Sequence, residues 1–179
     1  MDKKSSWPIK VYNNLKRSIA MSNPNVAHGN VRPGLKAGRV NEFTLMFKLK
    51  PGGAERLRKK IAGDSNFQSH VDGVGTVHDL RFTIFDNDTR LLFASTFDGD
   101  WDAYIEDFGT FIPDYIDLAF GEAEGYPGIK SPDFKDFLVK NQVTSTHFYS
   151  AYPNATVKDV WKALKIKGGL DVLLDAASS

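Results

Sequence analysis

The run GTVHDLRFTIF, residues 75–85, places a histidine, an aspartate and an arginine in a segment whose composition is typical of a strand. Strand alternation predicts that His78 shares a face with apolar neighbours, and that Asp79 and Arg81 share the opposite face. An imidazole can serve as a general base or hold a metal or haem iron, and a guanidinium can bind an anionic or carbonyl oxygen. The alternatives are a core histidine satisfied by one hydrogen bond and a structural Asp79–Arg81 ion pair. We therefore take His78 and Arg81 as candidate catalytic residues and Asp79 as a candidate ligand-binding residue.

A second candidate lies in TFDGDWDAYIED, residues 96–107. Asp98 and Gly99 stand where a strand must turn sharply into a helix, and Trp101 and Tyr104 follow at helical spacing. We expect these four residues to border a ligand cavity, although aromatic residues at this spacing also pack in cores. The spaced carboxylates superficially match a calcium loop, but the glycine and glutamate that an EF-hand requires are missing. Acidic residues in a first helical turn are favoured by the helix dipole alone, so no metal site is predicted.

The elements that must position these residues follow a strand–helix–strand–strand–helix–strand order, which is typical of a ferredoxin-like α+β fold. The strongest local prediction is the hairpin, in which two apolar strands are joined by Asp86-Asn87-Asp88. Thr156 and Asp159 predict a capping box at the start of the last helix. The predicted elements are strands over 43–49, 76–85, 90–97 and 146–152, helices over 54–62, 101–112, 113–120 and 131–141, a loop over 63–75, and a last helix from 157 that is interrupted at Gly168-Gly169.

The predicted strands are apolar on both faces, since Leu92 and Ala94 alternate with Leu91 and Phe93. Helices would cover one face of such an antiparallel sheet, and the other face also needs a cover. Two sheets that meet face to face, as in a dimeric α+β barrel, would provide it, and so would the chain's own N-terminal segment. We expect a basic N-terminal arm over residues 1–40, a single domain over 41–179 and a homodimer.

Composition narrows the class of protein. The chain has 179 residues, 41% of them hydrophobic, 25% charged and none cysteine, which is ordinary for a globular domain. Without cysteine there is no disulfide framework, thiolate zinc site, iron–sulfur cluster or cysteine nucleophile. No apolar run reaches the ~18–20 residues that span a bilayer, and no secretory signal pattern is present. We expect a cytoplasmic protein.

The formal net charge of +1 conceals a basic N-terminal stretch. Residues 1–40 hold eight lysines and arginines and one aspartate, which leaves 15 basic and 21 acidic residues in the remainder. Such an arm can bind nucleic acid or a membrane surface, or it can lie on acidic protein surface. The dispersed spacing of its charges favours the last possibility, so a nucleic-acid partner is not expected.

The segment GTVHDLRFTIFDNDTRLLFASTFDGDWDAYIEDF, with FIPDYIDLAFGEAEGYPG after it, resembles a family of ferredoxin-like proteins related to the dimeric α+β barrels. Members share a G-T-x-H-x-x-R strand, then L-L-F-x-S-x-F-D-G and an acidic, aromatic helix. The resemblance covers roughly residues 41–155 and carries over His78, Arg81, Asp98 and Gly99 as motif positions. Barrels of this type include haem peroxidase and chlorite dismutase relatives, monooxygenases and plain binding proteins. The resemblance thus makes haem a candidate cofactor, although Ser69 stands where the peroxidase G-x-x-D-G motif has its first glycine.

Two functions of different class are consistent with these residues. The first is a small-molecule-handling enzyme, oxidoreductase- or monooxygenase-like, with a cavity near His78 and Arg81. In it His78 would carry a proton, Arg81 would bind an oxygen of the ligand, and Asp98 would shape the entrance. The alternative is a non-catalytic dimeric binding or assembly module. Fold-level likeness does not decide between them.

Overall fold

The structure is a computed structural model that describes residues 34–178. Within this range the chain forms an α+β fold with four strands and six helices. The strands are β1 (Lys36–Ala37), β2 (Val40–Lys48), β3 (Val77–Phe85) and β4 (Arg90–Asp98). The helices are α1 (Gly53–Ala62), α2 (Phe67–Val74), α3 (Trp101–Phe111), α4 (Pro113–Phe120), α5 (Phe134–Lys140) and α6 (Val157–Ala177).

The strands pair in the order β1-β2-β4-β3, and every pairing is antiparallel. This confirms the α+β class and the antiparallel sheet, and the arrangement is compatible with a ferredoxin-like fold. The predicted hairpin is β3–β4. In its turn, three successive residues have positive φ, namely Asp86, Asn87 and Asp88. Short Asx side chains tolerate that region better than other L residues do, which is why the segment turns here.

One face of the sheet carries the hydrophobic core. Alternate residues of β2 and β4 are buried there, and the side chains of α1, α3, α4 and α5 pack over them. The ring of Phe93 lies at its centre, in edge contact with Phe43, Phe108 and Phe120. The predicted helix start at Pro113 is confirmed, since proline lacks the amide hydrogen that a first-turn residue would leave unbonded.

The opposite face of the sheet carries Asp79 and Arg81, as strand alternation predicted, together with further polar side chains. Arg81 donates from Nη1 to Asp79 Oδ1 at 2.8 Å, and Asp79 also accepts a hydrogen bond from Thr96. Arg90 reaches across this face to the sulfur of Met46. Long charged side chains therefore cover part of the apolar surface that the sequence led us to expect beneath a second sheet.

The predicted fourth strand is wrong. Residues 146–152 are not a strand, and the chain instead makes one bridge at Gln142 to Leu45 on the free edge of β2. Pairing stops where the Ser145 amide donates to the side-chain Oε1 of Glu42, at 3.1 Å, instead of to a backbone carbonyl. The buried carboxylate of Glu42 also accepts from the Leu35 amide and the Thr44 hydroxyl. The side chain of Glu42 thus ends the backbone pairing along this edge of β2.

Three further elements differ from the sequence expectation. The segment predicted as a loop contains α2, whose Phe67 ring packs against Tyr115. The last helix starts with the predicted capping box at Thr156 but is not interrupted at its glycine pair. At the other end, β1 and the start of β2 fall within residues 1–40, so the sheet begins before the predicted domain boundary. The rest of the predicted arm, residues 1–33, lies outside the described residues. No helix among the described residues is long and apolar enough to cross a bilayer.

Candidate functional site

A β-bulge sets the position of His78. The register of β3 against β4 shifts between Val77 and Asp79, and His78 has no Cα partner in the ladder. The bulge changes the alternation: Val77 packs against the core together with Leu80, whereas His78 was expected on that face. A bulge leaves one residue unpaired and redirects its side chain. His78 is thereby placed beside the end of β4.

The imidazole of His78 meets a carboxylate there. His78 Nε2 lies 2.8 Å from Asp98 Oδ1, and their side chains are 23% and 9% exposed. The second oxygen of the carboxylate, Oδ2, accepts from the backbone amide of Val157 at 2.7 Å. Asp98 therefore joins β3, β4 and the first residue of α6, where the helix dipole favours negative charge.

This arrangement orients the histidine for proton transfer. When Nε2 carries the hydrogen that it donates to Asp98, Nδ1 is the basic nitrogen. Nδ1 makes no hydrogen bond to any described residue. An aspartate that holds one imidazole nitrogen fixes the ring and stabilises the imidazolium that forms when the other nitrogen accepts a proton.

A cavity of about 390 Å³ borders the histidine, between α2, β3 and the start of α6. Seven of its eleven lining residues are apolar and four are polar or charged, so it offers both apolar contact and polar groups to a ligand. Two acidic residues, Asp72 and Asp79, belong to the lining, and no lysine or arginine does. The lining residues are Phe67, Gln68, Val71, Asp72, Val77, His78, Asp79, Leu80, Val157, Val160 and Trp161. The cavity is therefore suited to a ligand with an apolar body and a neutral or positive charge.

A second cavity, of about 440 Å³, is lined by Asp98 itself and is basic. Lys36, Arg39 and Lys158 contribute to its wall, together with Gly99. The aspartate that binds His78 thus lies at the boundary of an apolar cavity and a basic one. Gly99 was expected beside a cavity mouth, and the structure places it in this lining.

The structure does not bring Arg81 to His78. Its side chain is 65% exposed, pairs with Asp79, and lies in the lining of neither cavity. The Asp79–Arg81 ion pair is the structural alternative that the strand alternation had suggested. Among the described residues, Arg81 is linked to the site through Asp79, which lines the first cavity.

Trp101 and Tyr104 lie in the core, not at a cavity mouth. Both are buried, and neither belongs to the lining of the two cavities. The ring of Tyr104 stacks on Phe97 with centroids 3.9 Å apart, and its hydroxyl donates to Ser95 Oγ at 2.8 Å. Burial raises the pKa of Tyr104, so the phenol stays protonated and serves packing.

Sequence reasoning missed the part of the wall that α2 supplies. Phe67, Val71 and Val74 are spaced by four and three residues, which is a helical signal in a segment that also contains Asp72-Gly73. Because Asp72 and Gly73 favour a turn, the sequence predicted a loop here and not a helix. Trp161, near the start of α6, also lines the cavity.

The cavity does not fit haem. Haem carries two propionates, and no lysine or arginine lines the cavity to pair with these propionates. The Nε2 atom of His78 is also engaged by Asp98. Within residues 34–178 there is no group of three or more histidine, aspartate and glutamate side chains placed to hold a metal ion.

No family model, curated protein or solved structure matches this chain.

Proposed function

We propose that this protein is a small-molecule-handling enzyme in which His78, oriented by Asp98, removes a proton from a ligand held in the apolar cavity. The observation that supports this most is the chain of contacts from His78 Nε2 to Asp98 and on to the Val157 amide. It joins three elements at one carboxylate and leaves one imidazole nitrogen for the ligand.

The lining indicates the kind of ligand. The apolar side chains from α2 and α6 would hold a flat or compact apolar body, and the carboxylate of Asp72 would repel anions, whereas the charge of Asp79 is paired with Arg81. Arg81 is a positioning residue in this proposal, since its guanidinium holds Asp79 in place. Proton transfer is the step that the His78–Asp98 pair supplies by itself, and an oxidoreductase- or monooxygenase-like reaction would start with the same step.

A generic base-sensitive substrate tests the proposal without knowledge of the natural ligand. In 5-nitrobenzisoxazole a base removes the ring C–H proton, the N–O bond breaks, and a coloured nitrile-bearing phenolate is released. This probe is neutral, aromatic and small, as the cavity requires. We expect the protein to accelerate the elimination beyond an equal concentration of free imidazole, and His78→Gln to lower the rate by roughly 10²-fold, the lower end of general-base effects.

His70→Gln is the matched control. His70 also lies near a carboxylate, 3.8 Å from Asp64, but it is on α2 and outside the cavity lining. Asp98→Asn is expected to lower the rate as well, because an amide orients the ring without stabilising its positive charge. Circular dichroism and a thermal melt establish that each variant folds. An unchanged rate in His78→Gln, or an equal loss in His70→Gln, would overturn the proposal.

The alternative is a binding module without turnover, and the apolar lining of the cavity favours it. A neutral fluorescent probe, N-phenyl-1-naphthylamine, separates the two functions. A binding module would bind the probe in both wild type and His78→Gln and lose it in Val71→Asp, while the elimination rate would equal that of imidazole. Val71 lies in the cavity wall, so this substitution places a charge in the binding volume.

The dimeric barrel expected from the sequence is not included in the proposed function. Its two sheets would meet through the face that carries Asp79, Arg81 and Arg90. Burying those charges against a second copy would require partners for each of them. A homodimer is better sought at another surface.

A further inference from the structure

The C-terminal helix α6 leaves most of its apolar side chains exposed, because the rest of the domain packs against only a small part of it. It is 21 residues long, Val157 is buried, and every residue from Lys158 to Ser178 is exposed. A helix gains most of its stability from packing one face against something else. The exposed large apolar side chains of α6 are Val160, Trp161, Leu164, Ile166, Leu170, Val172, Leu173 and Leu174. Contiguous apolar surface of this kind marks an interaction site.

Six of these eight side chains lie in two stripes on different sides of the helix, and Val172 and Leu174 lie outside both stripes. At 100° per residue, Val157, Val160, Trp161 and Leu164 lie on one side, and the first three line the apolar cavity. That stripe faces the domain. The other stripe points about 150° away from it by the same geometry. It consists of Ala163, Ile166, Leu170, Leu173 and Ala177.

The second stripe, which we call the seam, has coiled-coil spacing. Its residues are separated by three, four, three and four positions, the 3.5-residue repeat that keeps one face toward a partner helix. The seam is small at both ends and large in the middle. Two identical seams that run in opposite directions about Leu170 would place Leu170 against Leu170 and Ala163 against Ala177, with Ile166 about 1.5 Å, one residue, out of level with Leu173.

The charges of α6 favour the antiparallel direction. Its first half, residues 158–167, holds four lysines and one aspartate, and residues 168–177 hold two aspartates and no lysine or arginine. An antiparallel pair centred at Leu170 lays the lysine-rich half of one helix beside the half of its partner that carries Asp171 and Asp175. A parallel pair would place like charges side by side, which is destabilising.

We propose that α6 pairs with α6 of a second copy of this chain, antiparallel, along the seam and about a two-fold axis at Leu170. This contact is isologous, so it closes at a dimer. It is independent of the proposed function, since the seam lies on the side of α6 away from the cavity.

Sedimentation equilibrium of the full chain tests the pairing. We expect a concentration-dependent dimer that Leu173→Glu converts to a monomer. Val172→Glu is the control, because Val172 and Leu173 are adjacent, both are 68% exposed, and Val172 lies off the seam. A wild-type protein that stays monomeric would overturn the proposal. That is the result expected if residues 1–33 of the chain itself, or another partner, occupied the seam. Equal dissociation by both variants would overturn it too.

Cysteine cross-linking tests the direction, and the chain has no native cysteine to interfere. Under mild oxidation Leu170→Cys should form a disulfide with its own copy, and a mixture of Ala163→Cys with Ala177→Cys should form a mixed dimer. Ala163→Cys alone should not cross-link. In an antiparallel pair the two copies of residue 163 lie about 21 Å apart, from 14 residues at ~1.5 Å each, whereas a disulfide needs Cα atoms within ~7 Å. Efficient self-cross-linking of Ala163→Cys would overturn the antiparallel arrangement.

Discussion

The buried carboxylate of Glu122 links the helical layer to the loop after α4, and its charge should contribute measurably to stability. Its side chain is 8% exposed and accepts from Arg56 Nε at 2.9 Å, Arg56 Nη2 at 2.7 Å and Lys60 Nζ at 2.8 Å. Both cations belong to α1. The hydrogen bonds from Arg56, assisted by Lys60, lower the pKa of Glu122 from 4.5 to about 2.

That shift sets the size of the expected effect. A difference of about 2.5 in pKa corresponds to about 3 kcal/mol of unfolding free energy at neutral pH, at ~1.4 kcal/mol per unit. Arg56 and Lys60 are 49% and 43% exposed, and screening by solvent reduces the contribution to about 1–2 kcal/mol. We therefore expect Glu122→Gln to lose about 1–2 kcal/mol at pH 7.

The pH dependence has a definite sign. The folded-state pKa of Glu122 is depressed, so the stabilisation is complete above the unfolded pKa of 4.5 and is lost as the pH falls toward about 2. Wild type and Glu122→Gln should thus differ at pH 7 and converge at pH 2. Urea denaturation followed by tryptophan fluorescence, at several pH values in that range, measures the difference.

Glu124→Gln is the control for this experiment. Glu124 is two residues away and exposed, and its carboxylate lies 3.6 Å from Lys48. An exposed pair of this kind contributes about 0.5 kcal/mol or less. If Glu122→Gln were no more destabilised than Glu124→Gln, or if its deficit persisted unchanged at pH 2, the charge would not be the cause.

Two further predictions concern stability. Tyr104→Phe removes the buried hydroxyl that donates to Ser95 and leaves Ser95 Oγ without that bond. We expect the unfolding free energy measured by urea denaturation to fall by about 1–2 kcal/mol, and to stay unchanged in the exposed control Tyr149→Phe. Gly38→Ala should destabilise by more than ~1 kcal/mol, because Gly38 has a φ of 61° and an added Cβ would collide with the carbonyl oxygen of Pro153. The control Gly73→Ala, within helix α2 and with open space around its Cβ position, should be neutral or stabilising in the same assay.

Features that depend on neighbours in the chain could be predicted from the sequence. The Asp86-Asn87-Asp88 turn needs only short side chains that accept positive φ, and the capping box needs only Thr156 and Asp159 three positions apart. The Asp79–Arg81 pair followed from strand alternation. The physics of these features acts within a few residues, so the pattern contains the information.

The candidate site could be predicted only in part. His78 and Asp98 were both identified from their residue types and positions, but as separate candidates on different elements. Their contact depends on a bulge that removes His78 from the expected alternation. The predicted fourth strand failed for a related reason, since the side chain of Glu42, 103 residues earlier in the chain, accepts the Ser145 amide and ends the pairing.

By itself, the sequence determined the local features of this protein. These are the segments in which apolar and polar residues alternate, the positions where a turn or a helix starts, and the side chains that can transfer a proton. Only the tertiary structure decided which of those side chains meet. Asp98 binds His78, 20 residues earlier, and the Val157 amide, 59 residues later. Such contacts depend on register, bulges and helix placement, which are set by the packing of the whole core and not by the residues adjacent in the chain.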